Sequence, residues 1–100
     1  MHYLLIYDLA GDYLDRRGAF RTEHLSLAWQ AKVHGGLVLA GALTDPADKA
    51  VLLFEGDSPE GAKRFANADP YVLNGLVRTW EVRAWTTVVG DQASNPVRPV

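Results

Sequence analysis

Residues 37–62 read LVLAGALTDPADKAVLLFEGDSPEGA. Two apolar runs, LVLAGAL (37–43) and AVLLFEG (50–56), flank TDPADK (44–49), a segment rich in Asp and Pro. Apolar runs of strand length around such a segment predict a β-hairpin. Ser58-Pro59-Glu60 follows at once and announces a helix over 59–67. Serine caps free backbone donors, proline fits the first helical position, and glutamate suits the positive helix end.

On the N-terminal side, FRTEHLSLAWQAKV (20–33) has the helical period: Phe20, His24, Leu27, Ala28 and Ala31 share one face. Gly35-Gly36 ends that helix. Before it, HYLLIYD (2–8) reads as a strand, and residues 11–18 read as a polar connector. On the C-terminal side, Asp69 precedes Pro70 as a helix cap would, and PYVLN makes one turn closed by Gly75. LVRTWEVRAWTTVV (76–89) is the longest strand, with Trp80, Val82 and Ala84 on one side and Glu81, Arg83 and Trp85 on the other. GDQASNPVRPV (90–100) reads as a flexible tail, leaving one domain over 1–89.

The order strand, helix, strand, strand, helix, strand is the ferredoxin-like βαββαβ arrangement of the α+β class, with an antiparallel sheet and both helices on one face. The other face would be open. Tyr3, Leu5 and Tyr7 alternate with Leu4, Ile6 and Asp8, so neither face of the first strand is cleanly polar. An apolar second face in so small a chain calls for a second copy, a homodimer through the open sheet face.

Composition narrows the function classes. With 48% hydrophobic and 22% charged residues the chain is globular rather than disordered. It has no cysteine, which removes disulfides, thiol chemistry and thiolate zinc sites. Ten Lys and Arg against twelve Asp and Glu give no basic footprint for nucleic acid, although Arg16, Arg17 and Arg21 lie close together. MHYLLIYDLAGD lacks a basic leader, and its apolar run is too short for a signal or a membrane span; the expectation is a cytoplasmic protein with no membrane partner.

Few residues are equipped for chemistry. His24 lies within an apolar helical stripe, as a core histidine or as a general acid or base. Asp69 is a helix cap, a partner for His24, or both. A carboxylate on one ring nitrogen fixes the tautomer and raises the basicity of the other. Ser26 is two residues from His24 and points elsewhere on a helix, so proton transfer by a dyad fits better than a nucleophilic triad. Tyr7 and Asp8, at the end of the first strand, could line a cavity; Tyr71 could lie over a substrate; Arg17 and Arg21 could anchor an anion. His2 and His34 look peripheral. His24, Asp69 and Asp8 follow no metal-ligand spacing, and no Gly-rich loop follows a strand, so neither metal nor organic cofactor is expected.

Several segments in order carry a family likeness: HYLLIYD at 2–8, RTEHL at 21–25, LVLAGAL at 37–43, LLFE at 52–55, SPEGA at 58–62, ADPY at 68–71, GLV at 75–77 and WEVRAW at 80–85. The set resembles the YCII-related family of small dimeric α+β-barrel proteins. The resemblance implies a ferredoxin-like fold, two subunits packed sheet against sheet with a cleft in each, and a catalytic dyad at His24 and Asp69. Relatives in the wider superfamily include muconolactone isomerases and small monooxygenases, and one family member resembles a dehydrochlorinase of a chlorinated hydroxyquinol.

Two functions are compatible with these residues. One is an enzyme that isomerises a lactone, phenolic or carbonyl substrate, or eliminates from it. His24 and Asp69 would be catalytic, and Tyr7, Arg21 and Tyr71 would bind the substrate. The other is a non-catalytic domain that holds a small ligand in the same cleft or docks a partner.

Overall fold

A computed structural model describes residues 1–100. Its elements are β1 (His2–Leu9), α1 (Tyr13–Arg16), a 3-10 turn (Arg17–Ala19), α2 (Arg21–His34), β2 (Leu37–Ala42), β3 (Lys49–Glu55), α3 (Glu60–Ala68), α4 (Pro70–Leu73) and β4 (Val77–Trp85). The strands form one antiparallel sheet in the order β2-β3-β1-β4, the ferredoxin-like topology.

The expectation of a dimeric α+β barrel is corrected here. The sheet is open, ending at β2 on one side and β4 on the other. Four strands are too few to close on themselves around filled side chains, which takes roughly eight. No helix of the chain is long and apolar enough to cross a membrane.

The core lies between the helices and one face of the sheet. Tyr3, Leu5 and Tyr7 of β1 stand beside Phe54, Leu52 and Ala50 of β3 and beside Ala84, Val82 and Trp80 of β4. Against this face α3 buries Ala62, Phe65 and Ala66. Burial of Leu5, Leu52, Phe54 and Phe65 contributes about 1.5–3 kcal/mol each.

In contrast, α2 has no fully buried residue. Phe20 at its cap and the inward stripe of Leu27, Ala28 and Ala31 only partly pack on the core. One reason lies in β2. Its register shifts between Leu37 and Leu39: Leu37 pairs with core residue Phe54, but Leu39 pairs with Leu53 on the other face. This bulge turns Leu39 away and leaves Ala40 and Ala42 on the helix side. Their side chains are too short to reach α2, and a cleft opens between the helix and the outer half of the sheet.

Other boundaries shift for local reasons. The polar connector expected over 11–18 contains α1, because Tyr13 folds inward and is buried. The second long helix starts at Glu60 with Pro59 at its cap position, while Ser58 Oγ accepts the Glu60 N–H at 3.3 Å. The last strand ends at Trp85, not Val89, because Trp85 already pairs with His2, where β1 begins. Beyond it the chain turns back: the Asn95 N–H donates to the Thr87 carbonyl at 3.0 Å and the Val97 N–H to that of Val88 at 2.9 Å. Thr87 Oγ1 and Ser94 Oγ close on His2 Nδ1 at 2.7 and 3.1 Å, so His2 is buried rather than peripheral.

Candidate active site

The local chain path explains how Asp69 enters the core. Its φ of -69° and ψ of 122° are extended, as a cap requires, and Pro70 opens α4. The helix closes as a Schellman motif: the Leu76 N–H reaches the Tyr71 carbonyl at 2.9 Å, the Gly75 N–H reaches that of Val72 at 3.3 Å, and Gly75 takes φ +77°. This tight loop turns the Asp69 carboxylate inward.

Asp69 has no exposed surface, and its carboxylate accepts three hydrogen bonds. The Tyr71 N–H donates to Oδ1 at 3.0 Å, completing the cap. His24 Nδ1 lies 2.8 Å from the same oxygen, and the Tyr7 hydroxyl donates to Oδ2 at 2.8 Å. The cap and the histidine pair therefore coexist on one carboxylate. Three donors offset the cost of burying its charge.

The imidazole is held in place. Its ring stacks on Tyr71, with centroids 3.9 Å apart and planes 8° from parallel, and Phe65 meets it edge-on at 6.3 Å. An ionised Asp69 calls for the proton on Nδ1, which leaves the Nε2 lone pair. Nε2 has no partner within the protein, and the ring lines the cleft.

Two phenols complete the surroundings. Burial, then the Asp69 charge and the hydrogen bond to it, push the Tyr7 hydroxyl far above its ordinary value of 10.0, so it stays a donor. Burial also raises Tyr71, with Tyr13 adding to the effect and the Arg21 and Arg17 charges opposing it. Tyr13 meets Tyr71 edge-on at 5.7 Å.

The cleft has a volume of about 380 Å³. Ala40, Ala42, Ala50 and Leu52 form its floor, and His24, Ala28 and Trp29 of α2 form its wall. Tyr7, His24 and Tyr71 line it, with Asp69 fully buried behind them, and Arg21 stands on the rim. Tyr7 reaches the carboxylate, so its hydroxyl is already engaged. Asp8 falls on the opposite face of the sheet, where its carboxylate accepts from Lys49 and, at 3.0 Å, from Thr79. The set His24, Asp69 and Asp8 is thus not assembled, and no group of three His, Asp or Glu side chains gathers elsewhere to hold a metal ion.

Sequence reading missed Tyr13, Trp29 and Lys32, which also line the cleft. A signal for Lys32 was present, since residues 24, 28 and 32 follow at four-residue spacing on one helix. Tyr13 lay in a stretch with no period to interpret.

Comparison with solved structures places the fold among known ones. 5-Chloro-2-hydroxyhydroquinone dehydrochlorinase from Burkholderia phenoliruptrix, in complex with 2,5-dihydroxybenzoquinone, superposes with a TM-score of 0.72 at 19% identity, over 87% of this chain and 95% of that one. A protein from Agrobacterium tumefaciens gives 0.57 at 18% identity, over 94% and 98% of the two chains. A NIPSNAP family protein from the same organism gives 0.55 at 13%, over 93% and 95%. At such identities the likeness is one of fold. No curated protein matches the chain. The YCII-related domain matches residues 1–86, and the chain belongs to the YCII-related family.

Proposed function

We propose that the chain is an acid–base enzyme acting on a small cyclic phenol, lactone or carbonyl compound without an organic cofactor. One observation carries this reading: a fully buried carboxylate orients His24 through Nδ1 while the same ring lines a cleft. Nε2 takes a proton from a substrate hydroxyl or from a carbon beside a carbonyl, and Asp69 stabilises the imidazolium that forms. In an isomerisation the proton returns to a different atom of the substrate. In an elimination the freed electron pair forms the new double bond, and chloride leaves with its bonding pair, giving hydrogen chloride overall. Neither course consumes an oxidant. Arg21 and Tyr71 contact the substrate at the cleft, and Tyr7 acts through Asp69 as a positioning residue.

The dehydrochlorinase that shares the fold supports this reaction class and supplies the first compound to assay, 5-chloro-2-hydroxyhydroquinone, beside a set of lactones. Turnover of whichever compound reacts is expected to fall by about 10²–10⁴ in His24→Ala, and by a similar order in Asp69→Asn. Undiminished turnover in His24→Ala excludes the dyad. A ligand that binds the cleft and is recovered unchanged in every case indicates a binding domain instead.

A further inference from the structure

The charges on the cleft have one sign. Its charged lining residues are Arg17, Arg21 and Lys32, with no Asp or Glu among them, in a chain whose acids outnumber its bases by twelve to ten. None of the three forms an ion pair, while Arg16, Lys49, Lys63 and Arg83 each have a carboxylate within reach. Asp69 opposes them at the Tyr71 end, but its carboxylate is fully buried and does not line the cleft.

Their positions are ordered along α2. Arg21 stands about one turn before His24, and Lys32 lies on the same stripe, roughly 16 Å from Arg21 at 1.5 Å per residue. Both arginines line the same cleft as the stacked His24–Tyr71 pair. The Arg17 guanidinium also lies 5.8 Å from the centre of the Tyr13 ring. Between the cations the cleft is apolar, with Ala28, Trp29 and Leu52 in its lining. Unpaired guanidinium groups beside a narrow apolar slot favour a ligand that is flat, apolar over its faces and negative at one edge.

We propose that the cleft selects a planar aromatic anion. Arg21 and Arg17 hold its negative group, Trp29 and Leu52 cover its ring, and Lys32 draws it in from the far end. The proposal deepens the acid–base reading, which supplies the reaction, but anion selection is measured separately from turnover.

Isothermal titration with salicylate and its neutral analogue salicylamide tests it. Salicylate is expected to bind at least about tenfold more tightly at low salt. That preference is expected to shrink as ionic strength rises from about 0.05 to 0.5 M. Arg17→Gln/Arg21→Gln is expected to lose the preference, with salicylate affinity falling much further than that of salicylamide. Lys32→Gln is expected to weaken salicylate alone, and to a smaller extent. Arg21 and Lys32 are exposed and Arg17 is half-buried, so the fold does not depend on them. Absence of any preference for salicylate, or its survival in the double arginine variant, overturns the proposal. His24→Ala is expected to keep the preference, so failure of anion selection and failure of the acid–base reading appear in different experiments.

Discussion

Asp69 shows how one side chain serves two purposes. The dipeptide Asp69-Pro70 pointed to a cap and the stripe position of His24 pointed inward, so the pair was legible in the sequence. The third donor was not. Strand alternation placed Tyr7 on the inner face, but the length of its side chain relative to the depth of α4 decides that its hydroxyl meets Oδ2, 62 residues away in sequence. Tyr7→Phe leaves a buried carboxylate oxygen without its donor and is expected to cost about 1–3 kcal/mol. It is also expected to lower kcat more than KM, since the orientation of His24 loosens while the cleft lining stays. A second consequence follows from the raised Tyr7 phenol. Below about pH 10 both folded and unfolded chains keep this proton, and its contribution is fully present. Above pH 10 the unfolded chain releases the proton while the folded chain holds it, so stability falls as pH rises, by up to about 1.4 kcal/mol per pH unit per group. Urea unfolding at pH 9 and 11 is expected to show a smaller loss in Tyr7→Phe than in the wild type. Some loss remains because Tyr71 is raised in the same direction. Equal losses in the two proteins refute this account.

Among the elements, those announced by local chemistry were legible. The hairpin followed from its Asp- and Pro-rich connection, and α4 from its Asp-Pro start and Gly75. The bulge in β2 was not legible, because nothing in LVLAGAL distinguishes a register shift from regular alternation; pairing with β3 sets it. Yet this bulge, by turning Leu39 outward, opens the cleft. Just before the bulge, Gly36 is the most closely confined of the glycines. Gly36 has φ +80°, its carbonyl accepts the Glu55 N–H at 2.8 Å, and a Cβ there would collide with the Glu55 carbonyl oxygen. Gly36→Ala is expected to destabilise the protein by roughly 2–4 kcal/mol through the positive φ and the displaced strand end. Gly41→Ala in the same strand has ordinary backbone angles and open space around the added methyl, and is expected to stay within about 0.5 kcal/mol of wild type. Matching urea midpoints for the two variants contradict this explanation of the α2–β2 junction.

For the molecule as a whole, the unanswered demand is the second face of the sheet. Leu4 pairs with Leu53 and Ile6 with Val51, forming an apolar band that is only half-buried, and Leu39 and Trp85 beside it are 72% and 45% exposed. Residues 87–94 reach across one end of this face, over His2, and leave the central band uncovered. We propose a second copy of the chain as the cover, since a two-fold contact lets each apolar band bury the other. Light scattering is expected to give twice the chain mass of 11.0 kDa. Leu53→Arg places a charge in the middle of the band but outside the core, so it is expected to give a single chain with an unchanged far-UV spectrum. A monomeric wild type, or a Leu53→Arg variant that stays paired, rules out this contact. The His24–Asp69 pair lies on the helix side of the sheet, opposite the proposed contact. The separated chain is therefore expected to keep its preference for salicylate, and losing it would mean that the second copy shapes the cleft as well as covering the sheet.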